Sequence, residues 1–323
     1  MTEKRIHFMK IVITDAGTVS AGDLDLTCFE EFGELICYDV TPDSLLAERI
    51  ADADIVLCNK TVIGKEAMDS AKNLKYIGLF ATGYNNIDID HARTKGITVC
   101  NAGQYSTMAV AQHTFAFILA CASRVEKYSS FVESGGWIKS KFFSNFSFPT
   151  SEIYGKTLGI AGYGSIGRAV ADIARAFGMR VLVYTRTPKE GEDAEYVDLD
   201  TLLRSSDYIT VHLPLNSESA GMFNADAFAK CKRSAYFINT SRGGTVVEGD
   251  LAKALNEGVI AGACVDVLTV EPMTESCPLF GAKNIMITPH IAWAPLDTRI
   301  RLLSTVTDNI RAWLAGYPVN KVN

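Results

Sequence analysis

Along the first hundred residues, short runs rich in β-branched and aromatic side chains alternate with polar–apolar stretches of helical period. The runs fall at 10–14, 35–39, 54–58, 75–80 and 97–100, and the periodic stretches at 43–51, 64–71 and 88–95. Strands separated by helices of about ten residues predict a parallel sheet with helices on both faces. A second series with the same rhythm has strands at 157–161, 180–184, 208–211, 235–239, 260–264 and 285–288. Between the series the pattern predicts one long helix from 106 to about 131, then an arm rich in Gly, Phe and Ser at 135–150. The chain closes with an amphipathic helix over 296–315 that has no strand partner in sequence, so it must pack back on the first series.

The fold class that follows is α/β, with two doubly wound parallel-sheet domains and a cleft between them. The first domain is discontinuous, 1–101 plus 290–323, and the second, 102–289, is inserted into it. Clefts of this kind are favoured ligand sites.

Composition narrows the partners. A chain of 323 residues, 48% hydrophobic and 21% charged, has apolar material for two cores and is not disordered. With 31 basic against 37 acidic side chains the net charge is −6, which gives no positive field for nucleic acid. A small molecule is the expected partner. The most apolar long stretch, 108–122, is interrupted by Gln112 and His113 and falls short of the ~20 residues of a membrane span. The amino-terminal segment holds only a four-residue apolar run, too short for an export signal. Eight scattered cysteines, without a CxxC pair or a nearby histidine cluster, predict no metal site and read as thiols of a reducing cytoplasm.

The chemistry starts at GYGSIG, residues 162–167, which follows a predicted strand and opens a helix. In that context Gly162, Gly164 and Gly167 let the backbone approach a dinucleotide pyrophosphate, and the helix start at Ser165 and Ile166 supplies N–H donors and a positive dipole end. The cofactor is therefore NAD or NADP. The next strand ends in Thr185-Arg186, where an NAD-selective site offers Asp or Glu to the ribose. With the acid missing and a guanidinium beside it, a 2′-phosphate can be accommodated, which tips the balance to NADP. The other reading is that Thr185 bonds the NAD ribose while Arg186 points to water.

Three later strands end in ionisable groups: Arg242 in INTSRGG, Glu271 in VEP and His290 in TPHIAW. Residues just past strand carboxyl ends face the ligand crevice of an open α/β sheet, so these three can converge.

Here the chain resembles the D-isomer-specific 2-hydroxyacid dehydrogenases. The resemblance runs through ATGYNNID (81–88), YSTMAVAQHTFAFIL (105–119), GKTLGIAGYGSIG (155–167), HLPLN (212–216), INTSRGG (238–244), EGDLAKALNEGVIAGACVDV (248–267), VEP (270–272) and TPHIAW (288–293). ATGYN, VAQHT and PHIAW are similar to the glycerate dehydrogenase, or hydroxypyruvate reductase, branch. The resemblance implies a flavodoxin-like substrate domain and a Rossmann cofactor domain. It implies that Arg242 bridges the substrate carboxylate and carbonyl, a bidentate task. His290 would be the general acid in reduction, with Glu271 orienting its ring. The N–H groups of Thr82 and Gly83 would hold the substrate carboxylate, with Tyr105 and Trp293 as pocket walls. Leu213, Pro214 and Thr240 would join the dinucleotide contacts, and Asp266 would orient the nicotinamide carboxamide. The segment about 124–150, with Trp137, would be the arm that embraces a second subunit in a homodimer. His113 reads as structural, His212 as loop-shaping, and His7 and His91 as solvated. The expected activity is NAD(P)-dependent reduction of a small 2-keto acid such as hydroxypyruvate or glyoxylate. The alternatives are D-lactate or another 2-keto acid as partner, or a dinucleotide-sensing protein of the corepressor type.

Overall fold

The computed structural model describes residues 8–188 and 194–323; His7 lies outside them. The backbone clusters into two units, 1–106 with 295–323, and 107–294. The crossings thus come five residues later than the sequence pattern suggests, at Ser106 and Ala294. His290 consequently belongs to the second unit and not to the first.

In the first unit, β1 (Met9–Ile13), β2 (Gly33–Cys37), β3 (Ile55–Cys58), β4 (Tyr76–Leu79) and β5 (Thr98–Cys100) are all parallel, in the order β2-β1-β3-β4-β5. That is the flavodoxin-like order. Val12, Val56, Ile77 and Val99 come from four strands into one core with Leu46, Met68 and Ala92 from the intervening helices. The carboxyl-terminal helix, Leu296–Leu314, docks on this unit as its lack of a strand partner required, with Trp313 4.9 Å from the ring of Tyr76.

The second unit has seven parallel strands. These are β6 (Thr157–Ala161), β7 (Arg180–Tyr184), β8 (Glu195–Tyr196), β9 (Tyr208–Val211), β10 (Tyr236–Asn239), β11 (Gly262–Val265) and β12 (Ile285–Ile287). Their order, β12-β11-β10-β9-β6-β7-β8, reverses direction between β6 and β9, the switch point of a Rossmann sheet. One face is covered by Phe115 and Ile118 of the Thr107–Ser123 helix with Val170 and Ala174 of the Ser165–Ala176 helix. The other is covered by Leu202, Phe228, Leu251 and Leu255. Burial on both faces explains why these strands read as continuous apolar runs.

Three details depart from the sequence pattern. β8 pairs with β7 through only two residues, too few to leave a periodic signal. The long helix breaks at Arg124, whose φ of 53° is left-handed, into Thr107–Ser123 and Val125–Glu133, bent by 57°. His91 is not simply solvated: its Nε2 lies 2.9 Å from an Asp69 carboxylate oxygen. No single helix among the described residues is long and apolar enough to cross a membrane.

Leu302, on the docked face of the carboxyl-terminal helix, is fully buried. Leu302→Ala is expected to cost about 3 kcal/mol, read as a lower urea midpoint for the first unit with the second unit's transition unmoved.

Candidate active site

The glycine loop sits at the switch point of the Rossmann sheet. Gly162 has a φ of +99°, and a Cβ there would lie 2.6 Å from the carbonyl oxygen of His212. A Cβ on Gly167 would lie 2.2 Å from the carbonyl oxygen of Gly162. Both glycines are fixed by close approach within the fold. Gly164 differs: it is exposed, and a Cβ there would meet nothing within 4 Å. Arg168 N–H donates to Gly164 O at the first turn, so the N–H groups of Ser165, Ile166 and Gly167 precede the first intrahelical bond. An open glycine at the start of a twelve-residue helix fits a dinucleotide pyrophosphate.

At the end of β7, Thr185 is half-buried and Arg186 exposed. Arg186 meets neither water alone nor an empty space. Its Nη1 donates to the carboxylate of Glu218, in the turn after β9. Leu213 and Pro214 run between β9 and that turn, and Ser219 Oγ donates to Pro214 O at 2.6 Å.

Arg242 follows β10, where Asn239, 1% exposed, builds the loop. Asn239 Oδ1 accepts from Ser241 N at 3.0 Å and Ser241 Oγ at 2.8 Å, while its Nδ2 donates to Arg242 O at 2.9 Å. The Arg242 guanidinium stays exposed, donating to Ser241 O, and no carboxylate pairs with it among the described residues. A Cβ on Gly243 would lie 1.9 Å from the carbonyl carbon of Leu268. Glycine at 243 therefore brings the Arg242 loop against the segment that leads to Glu271.

Glu271 bends back on that segment, accepting from Leu268 N at 2.9 Å through Oε1. Its Oε2 lies 2.7 Å from His290 Nδ1. Nothing else among the described residues bonds the His290 ring, so Nε2 is left for a ligand. His290 has a left-handed φ of 55°, a costly conformation for a residue with a Cβ. Its N–H donates to Asp266 O at 2.8 Å and to Thr288 O at 3.0 Å, which holds it there.

Asp266 has a structural task that its place in the sequence does not reveal. It is 1% exposed, and its carboxylate accepts from Thr288 Oγ1 at 2.6 Å, Ile291 N at 2.8 Å and Ala292 N at 2.9 Å. These bonds tie the group to the turn that carries His290. Thr240 is likewise buried, with its hydroxyl 3.1 Å from that of Thr114. His113, expected to be structural, is 3.1 Å from Thr288 Oγ1 and joins this network. The supporting residues Asn239, Thr288, Glu218 and Glu248 escaped sequence reasoning; Glu248 accepts from Thr269 N at 2.6 Å. Their side chains bond the local backbone or partners distant in sequence, and no spacing rule marks that.

On the first unit, Thr82 follows β4, with its hydroxyl donating to Gly103 O at 2.6 Å. The Thr82 and Gly83 N–H groups donate to nothing among the described residues. Tyr105 is 8% exposed in this unit, and Trp293 is half-buried in the other, three residues past His290.

A Rossmann sheet with an open pyrophosphate loop, and a paired imidazole and an exposed guanidinium on its strand ends, is the arrangement a dinucleotide-dependent oxidoreductase requires. Residues 115–292 match the family model of the D-isomer specific 2-hydroxyacid dehydrogenase NAD-binding domain. The chain is 42% identical over 321 residues to a hydroxypyruvate reductase of Blautia hydrogenotrophica, covering 98% of this chain and 100% of that relative. It is 37% identical over 317 residues to a glycerate dehydrogenase of Methylorubrum extorquens, covering 97% and 98%. Among solved structures it resembles an NADPH-dependent glyoxylate/hydroxypyruvate reductase of Sinorhizobium meliloti in complex with NADP and malonate. There the TM-score is 0.84 at 27% identity, over 97% of this chain and 96% of that one. The protein belongs to the D-isomer-specific 2-hydroxyacid dehydrogenase family. It is an NAD(P)-dependent oxidoreductase acting on 2-hydroxy acids.

His212 carries a testable cost. Both ring nitrogens are buried and have no hydrogen-bond partner among the described residues, and burial pushes the imidazole down to about 3. The unfolded chain takes up a proton below ~6.5 that the folded chain refuses, so this contribution is full above that pH and lost as pH falls. The expected slope is about 1.4 kcal/mol per pH unit between ~6.5 and 4, measured by denaturant titration. His212→Leu should flatten it; an unchanged slope would show the ring accessible to protons.

Proposed function

We propose that this enzyme reduces hydroxypyruvate or glyoxylate, with His290 as the general acid. The observation that carries the reading is the 2.7 Å contact of His290 Nδ1 with Glu271, which fixes the ring and leaves Nε2 to face a substrate oxygen. When bound, the reduced dinucleotide supplies a hydride to the carbonyl carbon. Arg242 forks onto the carboxylate and the carbonyl oxygen and polarises the latter. His290 gives its Nε2 proton to that oxygen as negative charge develops there, while Glu271 keeps the Nδ1–H bond throughout. The names of the similar proteins support a short polar 2-keto acid over a bulky one.

The reading extends to cofactor and assembly. Thr185 in place of a carboxylate, with Arg186 next to it, supports NADP over NAD. Ile138, Phe142, Phe143 and Phe146 on the arm are each at least three-quarters exposed, which supports a homodimer held by that segment. Eight free thiols support a reducing, cytoplasmic setting.

Loss of absorbance from NADH and NADPH with hydroxypyruvate, glyoxylate, pyruvate and a bulkier keto acid tests the substrate. Fast turnover confined to one of the first two is expected; a preference for pyruvate or the bulky acid would overturn it. His290→Ala should lower turnover by about two to four orders of magnitude with dinucleotide binding retained. Thr185→Asp should raise the Michaelis constant for NADPH far more than that for NADH, and equal effects would remove the argument for NADP.

A further inference from the structure

Where the strand-end pattern lacks an acid, the fold delivers one from elsewhere. We propose that Glu218 sets the ratio of NADPH to NADH affinity by neutralising Arg186. It thereby acts from the β9 side as the carboxylate that β7 does not carry. The proposal rests on reading Arg186 as the group that meets a 2′-phosphate.

Two observations carry it. Arg186 Nη1 donates to Glu218 Oε2, yet the two side chains are 70% and 62% exposed, so the pair is not locked by burial and an incoming anion can compete for the guanidinium. The backbone that bears Glu218, in contrast, is tightly held. The N–H groups of Glu218 and Ser219 donate to Asn216 Oδ1 at 2.9 and 3.0 Å, and Asn216 N donates to Ser219 Oγ at 2.9 Å. Ser219 Oγ in turn donates to Pro214 O, two residues beyond the His212 carbonyl that lies against Gly162. The carboxylate is thus mounted on the same rigid segment that backs the pyrophosphate loop.

The physical consequence is selective. A 2′-phosphate approaching Arg186 must share or displace Glu218 and meets a like charge beside it. The free ribose hydroxyl of NADH is neutral and meets no such barrier. Glu218 therefore weakens NADPH and leaves NADH unaffected, and its removal should widen a preference for NADPH that Arg186 creates.

Glu218→Gln keeps the shape of the side chain and the turn. Dissociation constants for NADPH and NADH, from nucleotide fluorescence titrations at low ionic strength, are compared for wild type, Glu218→Gln, Arg186→Gln and the double variant. NADPH is expected to bind Glu218→Gln about two- to fivefold more tightly, the scale of an exposed ion pair, with NADH unchanged. The gain should vanish in the Arg186→Gln background and shrink in about 0.5 M salt. An unchanged NADPH to NADH ratio in Glu218→Gln overturns the proposal. If Arg186→Gln alone still weakens NADPH, only the role of Glu218 falls; if that variant is silent too, the reading of Arg186 falls with it.

Discussion

The buried carboxylate of Asp266 is the constraint on which the active-site half of the second unit depends. A charge 1% exposed is costly unless its oxygens are bonded. Here the partners are the Thr288 hydroxyl and the N–H groups of Ile291 and Ala292, which follow β12. Its backbone adds a fourth tie by accepting from His290 N. The carboxylate cannot shift without leaving these donors unmatched inside the protein, so the turn has one geometry. That geometry puts His290 into a left-handed conformation it would not choose alone.

A second constraint runs through glycines. Gly243 lets the loop after β10 touch the Leu268–Thr269 backbone, and Gly162 lets the loop after β6 touch the segment after β9. Each contact ties neighbouring strand ends at the carboxyl edge of the sheet, where functional groups must be held to fractions of an ångström. Arg242, Glu271 and His290 stand on three loops after β10, β11 and β12. The bonds of Asn239, Glu248 and Asp266 make those loops one scaffold.

Strand positions and the glycine loop were legible in the sequence because periodicity and a strand–turn–helix context are local signals. β6, β7 and β9 fall where their apolar runs predict them. The break at Arg124 was not legible, since nothing in the apolar pattern of 106–131 marks a left-handed residue without glycine. β8 escaped because two residues have no period. The residues with reactive groups on strand ends could be read singly, but their supports could not. Asp266 looks from sequence like any acid at a strand end, and only the fold shows that it is buried and holds the turn carrying His290.

The same distinction governs the adenosine end. A rule that reads one position after one strand finds Thr185 and takes the acid to be absent. Selectivity, however, depends on the field at the 2′ position, and a field sums every charge within a Debye length whatever strand it comes from. Glu218 sits on a different loop, and the fold pairs it with Arg186. Sequence fingerprints for cofactor choice are therefore weakest where two strand-end loops meet, because the second charge arrives without a fixed spacing from the first.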